Sequence, residues 1–591
     1  MKKPFVLFLY IQRAKYNKFT EPVEIMGSMC LSAQISKHGY EGYCRSGDIH
    51  DAISEFEKAN ATGALCAVGL YSDFENVNAL ISFSKYIKSL YSIPILVGGP
   101  QAIGLGKEFL EQSGCDCLIR GDGENSLLKL LNIIVKEQGE PEDIPGVCLL
   151  NGQGEFIENK APEYITDLEE YPVPDLTQTA INPLKRTSIP IISGRGCPFK
   201  CSFCAESNKD IRIRSVSHVI DEIETKLQMN LLPKLVWFSD DTFTINKNRV
   251  HEFCIRLKEI RRKYDFVWFC EAHPSFILKY PEMMKEMVEA GLVRIQIGIE
   301  TGVEQIAKEY NKKTNPAEIK KTVRICKEAG LLQMHGNFIF GGAYETPGTM
   351  EETICYAEDL IELGSGMMEV TSTFLTPFPD TAITRNPHKF GINIIDIKCE
   401  TAFGDFPVIE TPSAGRYLIA QKRYEFLMRT MKCIQKLIQS GAVTHEQLTR
   451  HFELMFKYKV TSLLYTPAFL SDRFLYRRYN LLACGRFGAL DDIAEDKWRA
   501  SRVISVFKPH EYFQPAKEIT QSSSGSGSGI FTEKDLQLLM LSDGRHTIEE
   551  IARVMGYLSE GFDGNWRKTE IYMELRQLEK RNFIVVAEDW V

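Results

Sequence analysis

Cys197-Pro-Phe-Lys-Cys201-Ser-Phe-Cys204 sets three thiols in one loop, with three and two residues between them. Thiolates so spaced can wrap one corner of a cuboidal cluster, and soft sulfur ligands suit iron–sulfur or zinc. A structural zinc site normally takes four protein ligands, and no second close Cys-x-x-Cys pair supplies the fourth. Three protein ligands leave one iron open, as a catalytic cluster requires. Arg195 and Lys200 flank the loop and can offset its anionic charge, whereas Cys115 and Cys117 read as core residues. Upstream, Gly69-Leu-Tyr-Ser-Asp73, Gly98-Gly-Pro100 and Gly121-Asp-Gly-Glu124 are glycine-marked loops at the ends of apolar runs. In an open α/β sheet, that carboxyl edge is where ligands sit.

The elements that must position these loops alternate. Strands are expected near residues 5–10, 43, 64–70, 94–98 and 117–120, with helical patterns such as 76–90 and 124–136 between them. That is the signature of a parallel sheet with crossover helices, here over residues 1–150. A proline-marked connection covers 151–187. Six more strand patterns, at 189–194, 235–238, 266–271, 293–299, 335–341 and 369–375, alternate with helices over 188–390. A closed eight-stranded barrel takes about 250 residues, so six strands predict a partial, open-sided (β/α)6 barrel. Residues 391–520 read as helical. Residues 521–529 are a Ser/Gly linker. Residues 530–591 read as a small module of three helices and a terminal strand.

Composition bounds the partners. The chain has 591 residues, 44% hydrophobic and 25% charged, which is globular and multidomain. Its net charge is −8, so no whole-chain attraction to nucleic acid is expected. The last module has 8 Lys/Arg against 12 Asp/Glu, a net −4 that weakens a DNA-binding reading. No apolar run approaches the roughly 18–20 residues of a membrane span. The start, Met-Lys-Lys followed by an apolar stretch at 5–10, lacks a small-residue cleavage site and reads as a first strand. Sixteen cysteines in such a chain suggest a reducing compartment. A soluble cytoplasmic protein is expected.

The cysteine loop resembles that of the radical S-adenosylmethionine (SAM) superfamily, with Phe203 as the aromatic before the last cysteine. The resemblance continues through Phe238-Ser-Asp-Asp-Thr-Phe243, Cys270-Glu-Ala-His-Pro274, Ile297-Gly-Ile-Glu-Thr-Gly302, Phe340-Gly-Gly-Ala-Tyr-Glu345 and Thr376-Pro-Phe-Pro-Asp-Thr381. The sequence departs from the family pattern at His273, where arginine is common, at Ala343, where proline is usual, and at Asp380 in place of glycine. The resemblance implies a 4Fe-4S cluster on Cys197, Cys201 and Cys204. It implies SAM contacts from Phe203, Ser239, Asp240, Asp241, Glu300 and Gly341, with Glu300 accepting from ribose hydroxyls and Asp240 or Asp241 holding the ammonium.

The N-terminal sheet, placed before such a barrel, resembles the Rossmann-like cobalamin-binding domain of cobalamin-dependent radical SAM enzymes. The Gly98-Gly-Pro100 and Arg120-Gly-Asp-Gly-Glu124 loops carry that resemblance. It implies corrin contacts from Gly69, Tyr71, Ser72, Gly98, Gly99, Pro100, Gly121, Gly123 and Glu124. No Asp-x-His-x-x-Gly motif follows the first strand. His50 reads as a helix-start residue, and Tyr71 is the candidate for the lower cobalt face. Residues 542–552 resemble the winged-helix-like peptide-recognition modules of ribosomal-peptide maturation. Together these imply a methyltransferase acting on an unactivated carbon of a peptide or small-molecule substrate, fed by a donor such as flavodoxin or ferredoxin. A non-methylating cyclisation or rearrangement is the alternative, and a binding protein with a degenerate cluster site is the reading of a different class.

Overall fold

The computed structural model describes residues 3–12, 25–74, 76–170, 172–176, 179, 188–205, 210–229, 234–398, 406–460, 462–465, 487–488, 490–505, 533–559, 562, 564–580 and 584–587. The Ser/Gly stretch 521–529 lies outside them. The chain divides into two compact units, one built from residues 1–15, 20–430 and 457–460, the other from 16–19, 431–456 and 461–591.

Strand β1 (Phe5–Ile11) is almost wholly apolar because both of its faces are covered. Leu7 and Leu9 join one buried cluster with Phe56 and Phe83. Val6 and Phe8 join another with Leu127 and Leu131. It lies between β2 (Glu41–Gly47) and β3 (Leu65–Tyr71), parallel to both. Then come β4 (Ile95–Gly98) and β5 (Cys117–Ile119), also parallel, giving the order 2-1-3-4-5 of a doubly wound sheet with its switch point between β1 and β3. Two antiparallel strands, β6 (Val147–Leu150) and β7 (Phe156–Glu158), extend the edge. They fall partly in the stretch 151–187 that was expected to be a connection. Cys115 and Cys117 are buried.

The second sheet starts at β8 (Ile189–Ile191). A short ribbon, β9 (Gly194–Arg195) with β10 (Arg212–Ile213), brackets the cysteine loop. The sheet continues through β11 (Leu235–Phe238), β12 (Val267–Glu271), β13 (Leu292–Glu300), β14 (Gln333–Phe340) and β15 (Met368–Phe374). Its strands run in the order β8-β11-β12-β13-β14-β15, all parallel and with β8 and β15 as edges. This is the open six-stranded barrel expected from the strand patterns. One face of each strand is deeply buried; Trp237, Phe269, Glu271, Arg294, Gln296, Asn337 and Thr371 on the other remain partly exposed. The helix Arg416–Gln439 lays Phe426 against Phe338 and Phe340.

Both sheets belong to one unit, and their loops meet. Phe74 packs edge-on against Phe378 with centroids 5.8 Å apart. The Gln101 side-chain amide donates to the Ile397 carbonyl at 3.0 Å. A Cβ on Gly104 would come within 1.8 Å of Pro379.

The span expected to be helical, 391–520, also carries strands. β16 (Asn393–Ile394) pairs with β17 (Ile409–Glu410). β18 (Phe487–Gly488) and β19 (Arg502–Ser505) enter a four-stranded sheet in the second unit with β20 (Asp543–Thr547) and β21 (Ile584–Ala587). Three helices, Glu533–Leu541, Ile548–Val554 and Glu570–Lys580, accompany that sheet. Its core stacks Trp498 on Trp566, centroids 5.3 Å apart. The module therefore draws strands and core from residues well before 530; hydrophobic spacing over 487–505 suits either structure, and only the partner strands decide it.

Candidate functional site

The cysteine loop leaves β9 at Gly196 and is held from below by the segment that follows β13. Ser202 donates from its backbone to the Tyr310 carbonyl at 3.0 Å and from its hydroxyl to the Glu309 carbonyl at 3.0 Å. The Asn311 amide donates to the Lys200 carbonyl at 2.8 Å. These bonds flank Cys201, and Phe203 meets Tyr310 edge-on at 5.1 Å. The three thiols are partly exposed. Among the described residues no three His, Cys, Asp or Glu side chains already stand at single-metal spacing.

The same lacing brings up Lys312, a residue the sequence reading missed. Its ammonium is buried and donates to Glu300 Oε1 at 3.1 Å. Burial opposes its charge, but Glu300 and Cys201 outweigh burial and hold its pKa up. Lys200, by contrast, is exposed. Glu300 ends β13 in the left-handed region, φ +69°. Its carboxylate folds back over Gly298, where a Cβ would stand 2.1 Å from Oε1, so a side chain there would displace the Glu300 carboxylate. A non-glycine residue in this region stores strain of about 1–3 kcal/mol and commonly marks a functional position.

The two aspartates expected as alternatives for the ammonium sit in different surroundings. Asp240 is buried; it accepts from the Ser193 backbone at 2.7 Å and the Ser193 hydroxyl at 2.5 Å. It is occupied in fixing the strand that leads to the cysteine loop. Asp241 is exposed and close enough to Cys197 and Glu271 to raise the pKa of both. Glu271 at the end of β12 was also missed: burial, then Asp241 and Asp240, push its carboxyl up to about 7. Its signal was an acid at a barrel strand's carboxyl end. Ser239 turns back to β8, donating to the Ile191 carbonyl at 3.3 Å.

The Gly341 turn is pinned by Glu345, whose Oε2 accepts from the backbones of Gly341 at 2.6 Å and Gly342 at 2.9 Å. Burial lifts Glu345 to about 7 despite those donors. Asp380 adopts φ +60° where the family pattern has glycine, and Ala343 is buried. His273 caps the helix Pro274–Lys279 and stacks on Phe199 of the cysteine loop. Burial and Lys312 depress it to about 3, so it is neutral.

On the N-terminal sheet, the ends of β1, β3 and β4 converge. Tyr10 donates to Asp73 at 2.5 Å and lies 6.2 Å from the Tyr71 ring. The Ser72 hydroxyl accepts from the Ala102 backbone at 3.1 Å, and its own N–H donates to the Gly98 carbonyl at 2.8 Å. This ties Gly69–Ser72 to Gly98, Gly99 and Pro100. The loop of Gly121, Gly123 and Glu124 instead faces the second sheet. Arg195 donates to Glu124 at 2.8 Å and lies 3.4 Å from Asp122, and Arg212 pairs with Asp122. Asp48 caps the helix Ile49–Asn60 by accepting from His50 and Asp51, leaving His50 exposed at its start.

Residues 191–357 match the Radical SAM superfamily. The second sheet thus lies in a radical SAM domain. Such a domain carries a 4Fe-4S cluster and SAM, and the donor set fits them: three soft thiolates, a buried cation beside them and carboxylates at the neighbouring strand ends.

Among known proteins, the chain is 28% identical over 298 residues to the uncharacterized methyltransferase PH0819 of Pyrococcus horikoshii, covering 49% of this chain and 62% of that protein. It is 28% identical over 255 residues to the anaerobic magnesium-protoporphyrin IX monomethyl ester cyclase of Rubrivivax gelatinosus, covering 41% and 45%. It is 26% identical over 340 residues to the bacteriochlorophyllide d C-8(2)-methyltransferase of Chlorobaculum tepidum, covering 55% and 67%. The chain spans about half the length of the curated relatives it matches. In fold it is similar to the cobalamin-dependent SAM radical enzyme OxsB solved with aqua-cobalamin and SAM, with TM-score 0.58, 16% identity, and 76% of this chain and 69% of that chain covered.

No helix among the described residues is long and apolar enough to cross a membrane.

Proposed function

We propose that the protein is a cobalamin-dependent radical SAM methyltransferase acting on an unactivated carbon. In this reading Glu300, Asp241, Phe203 and the Gly341 turn hold SAM. The ends of β1, β3 and β4, through Gly69, Tyr71, Ser72, Gly98, Gly99 and Pro100, hold the corrin. The observation that carries the reading is that the switch-point loops of the first sheet abut the closing turn of the radical SAM sheet, Phe74 on Phe378 and Gly104 on Pro379. A group held at the first sheet's crevice would then face the barrel mouth, where a substrate must sit.

Once bound, the cluster, SAM and corrin supply hydrogen abstraction and a transferable methyl group, while the protein positions and excludes water. Lys312 neutralises charge beside Cys201 and holds Glu300 in place. Asp240 fixes the approach to the cysteine loop and Asp241 offers its carboxylate to the ammonium. Glu124 is reassigned from corrin contact to a brace on Arg195. The Tyr10–Asp73 pair holds Tyr71 beneath the proposed corrin site. A flavodoxin- or ferredoxin-type donor supplies electrons. The module around residues 487–591 serves as the docking site of a ribosomally made peptide substrate. A small-molecule substrate is the alternative, favoured by the tetrapyrrole names of two relatives.

The test is anaerobic reconstitution with cluster and hydroxocobalamin, then incubation of candidate substrates with methyl-deuterated SAM. Release of 5′-deoxyadenosine with label in the product is the expected result. The cyclase relative supports a second reading, cyclisation, in which 5′-deoxyadenosine carries off one hydrogen atom and a one-electron acceptor plus solvent take the second electron and proton, giving an unlabelled product lacking two hydrogens. No 5′-deoxyadenosine with any reductant would leave a binding protein.

A further inference from the structure

His273 holds a buried ring nitrogen with no hydrogen-bond partner among the described residues. The Ser275 backbone N–H donates to its Nδ1 at 3.3 Å, and the Ser275 hydroxyl lies 2.7 Å from the same nitrogen. A ring nitrogen that accepts a backbone N–H carries no proton of its own, so the imidazole proton sits on Nε2. That Nε2 is buried and, among the described residues, has no partner. The whole residue is only 8% exposed. Leaving a buried donor unmet costs about 1–3 kcal/mol, and such a group in a folded protein calls for an explanation.

Its surroundings supply one. The ring lies nearly flat on Phe199, centroids 3.7 Å apart and planes at 16°. Phe199 is in the cysteine loop between Cys197 and Cys201. A second side of the ring meets Phe276 edge-on at 6.4 Å. The nearby charge is cationic: Lys312 acts on both His273 and Cys201. A neutral N–H beside a cation and a thiolate loop is arranged for an anionic acceptor. A cationic group, which could only donate, is disfavoured there.

We infer that His273 is a positioning residue whose Nε2–H is reserved for an anionic acceptor held in the cysteine loop, either a cluster sulfide or a carboxylate oxygen of the SAM methionine. The inference rests on the radical SAM reading of that loop and adds a residue to it. The partner is an acceptor in both cases, and the two sources separate by experiment.

The test compares full-length wild type, His273→Phe and His273→Gln after anaerobic reconstitution, with circular dichroism as the check on folding. Phenylalanine keeps a ring against Phe199 and removes the donor; glutamine restores an N–H near the Nε2 position. Two quantities are read: the midpoint potential of the cluster without SAM, and the dissociation constant of SAM. A lower potential in His273→Phe, recovered in His273→Gln, identifies a sulfide acceptor. An unchanged potential with SAM binding about tenfold weaker, recovered by glutamine, identifies the carboxylate. No change in either quantity overturns the inference, as does a loss that glutamine fails to recover, which would mark packing alone. If His273→Phe does not fold, His273→Leu is read by the same criteria. A wild-type chain that takes up no cluster would overturn the radical SAM reading itself, a failure visible before any variant is made.

Discussion

Lys312 and Glu345 show how strongly single buried charges are committed around the proposed site. Replacing Lys312 with methionine strands Glu300 as an unpaired carboxylate, and breaking a buried pair in this way costs about 3–5 kcal/mol. Lys312→Met should therefore lower the thermal midpoint of the apo protein, and Lys312→Met with Glu300→Gln should recover part of the loss. Glu345 makes a pH prediction. Burial raises its folded pKa to about 7, above the ordinary carboxyl value of 4.5, so the protonated form favours folding. The stability it contributes is full below about pH 4.5 and is lost as pH rises through 7. In Glu345→Gln, whose carbonyl can still accept from Gly341 and Gly342, that part of the pH dependence should vanish. Thermal midpoints across pH 5–8 would check it, with a difference of about 3 kcal/mol from a shift of this size. The cysteines, Glu300 and Asp241 were marked as candidates by the sequence because motif and strand end coincide. Lys312 and Glu271 were not: a lysine after a helix gains meaning only when another loop folds over it, and Glu271 offered no more than its place at a strand's end.

Loops, more than strands, determine how the two sheets of the first unit join. The strand patterns were plain from apolar runs bounded by glycine and proline: the observed β11 matches expectation, and β3, β4 and β13 differ from it by one residue at one or both ends. The hairpin β6–β7 was missed because its strands are short and the flanking proline-marked stretch reads as a connection. The Gly121–Glu124 loop was read as a ligand loop from its glycines and its family resemblance; in the structure its acids pair with Arg195 and Arg212. Arg195 stands two residues before Cys197, so this brace bears on the cluster loop. Glu124→Ala should lower thermal stability by about 3 kcal/mol and slow cluster uptake, while Glu124→Leu with Arg195→Met should restore much of the stability. If Glu124→Ala instead keeps its melting point and loses only corrin affinity, the original ligand-loop reading is correct.

At the scale of the whole chain, the peptide-docking proposal needs a deletion that respects the second unit's sheet. Removing residues 530–591 takes away β20 and β21 and with them the partners of β19, exposing Trp498 and Val503. Such a truncation should aggregate for reasons unrelated to substrate. A deletion beginning before β18 removes the sheet entire. The expected outcome is unchanged SAM cleavage without substrate and a raised KM for a leader-bearing peptide. Unchanged peptide turnover at low concentration would shift the substrate to a small molecule.

The brace between Asp122, Glu124, Arg195 and Arg212 also bears on how such a chain is inherited. Two acids sit in one half and two arginines in the other, and either pair alone leaves uncompensated charge at a buried junction. A recombination that swapped the first 150 residues for those of a distant cousin would succeed only if acids arrived at both positions. The halves should therefore diverge as a matched set, with substitutions at these four sites occurring together, and chimeras that ignore them should fail to assemble even when each parent half folds in its own protein.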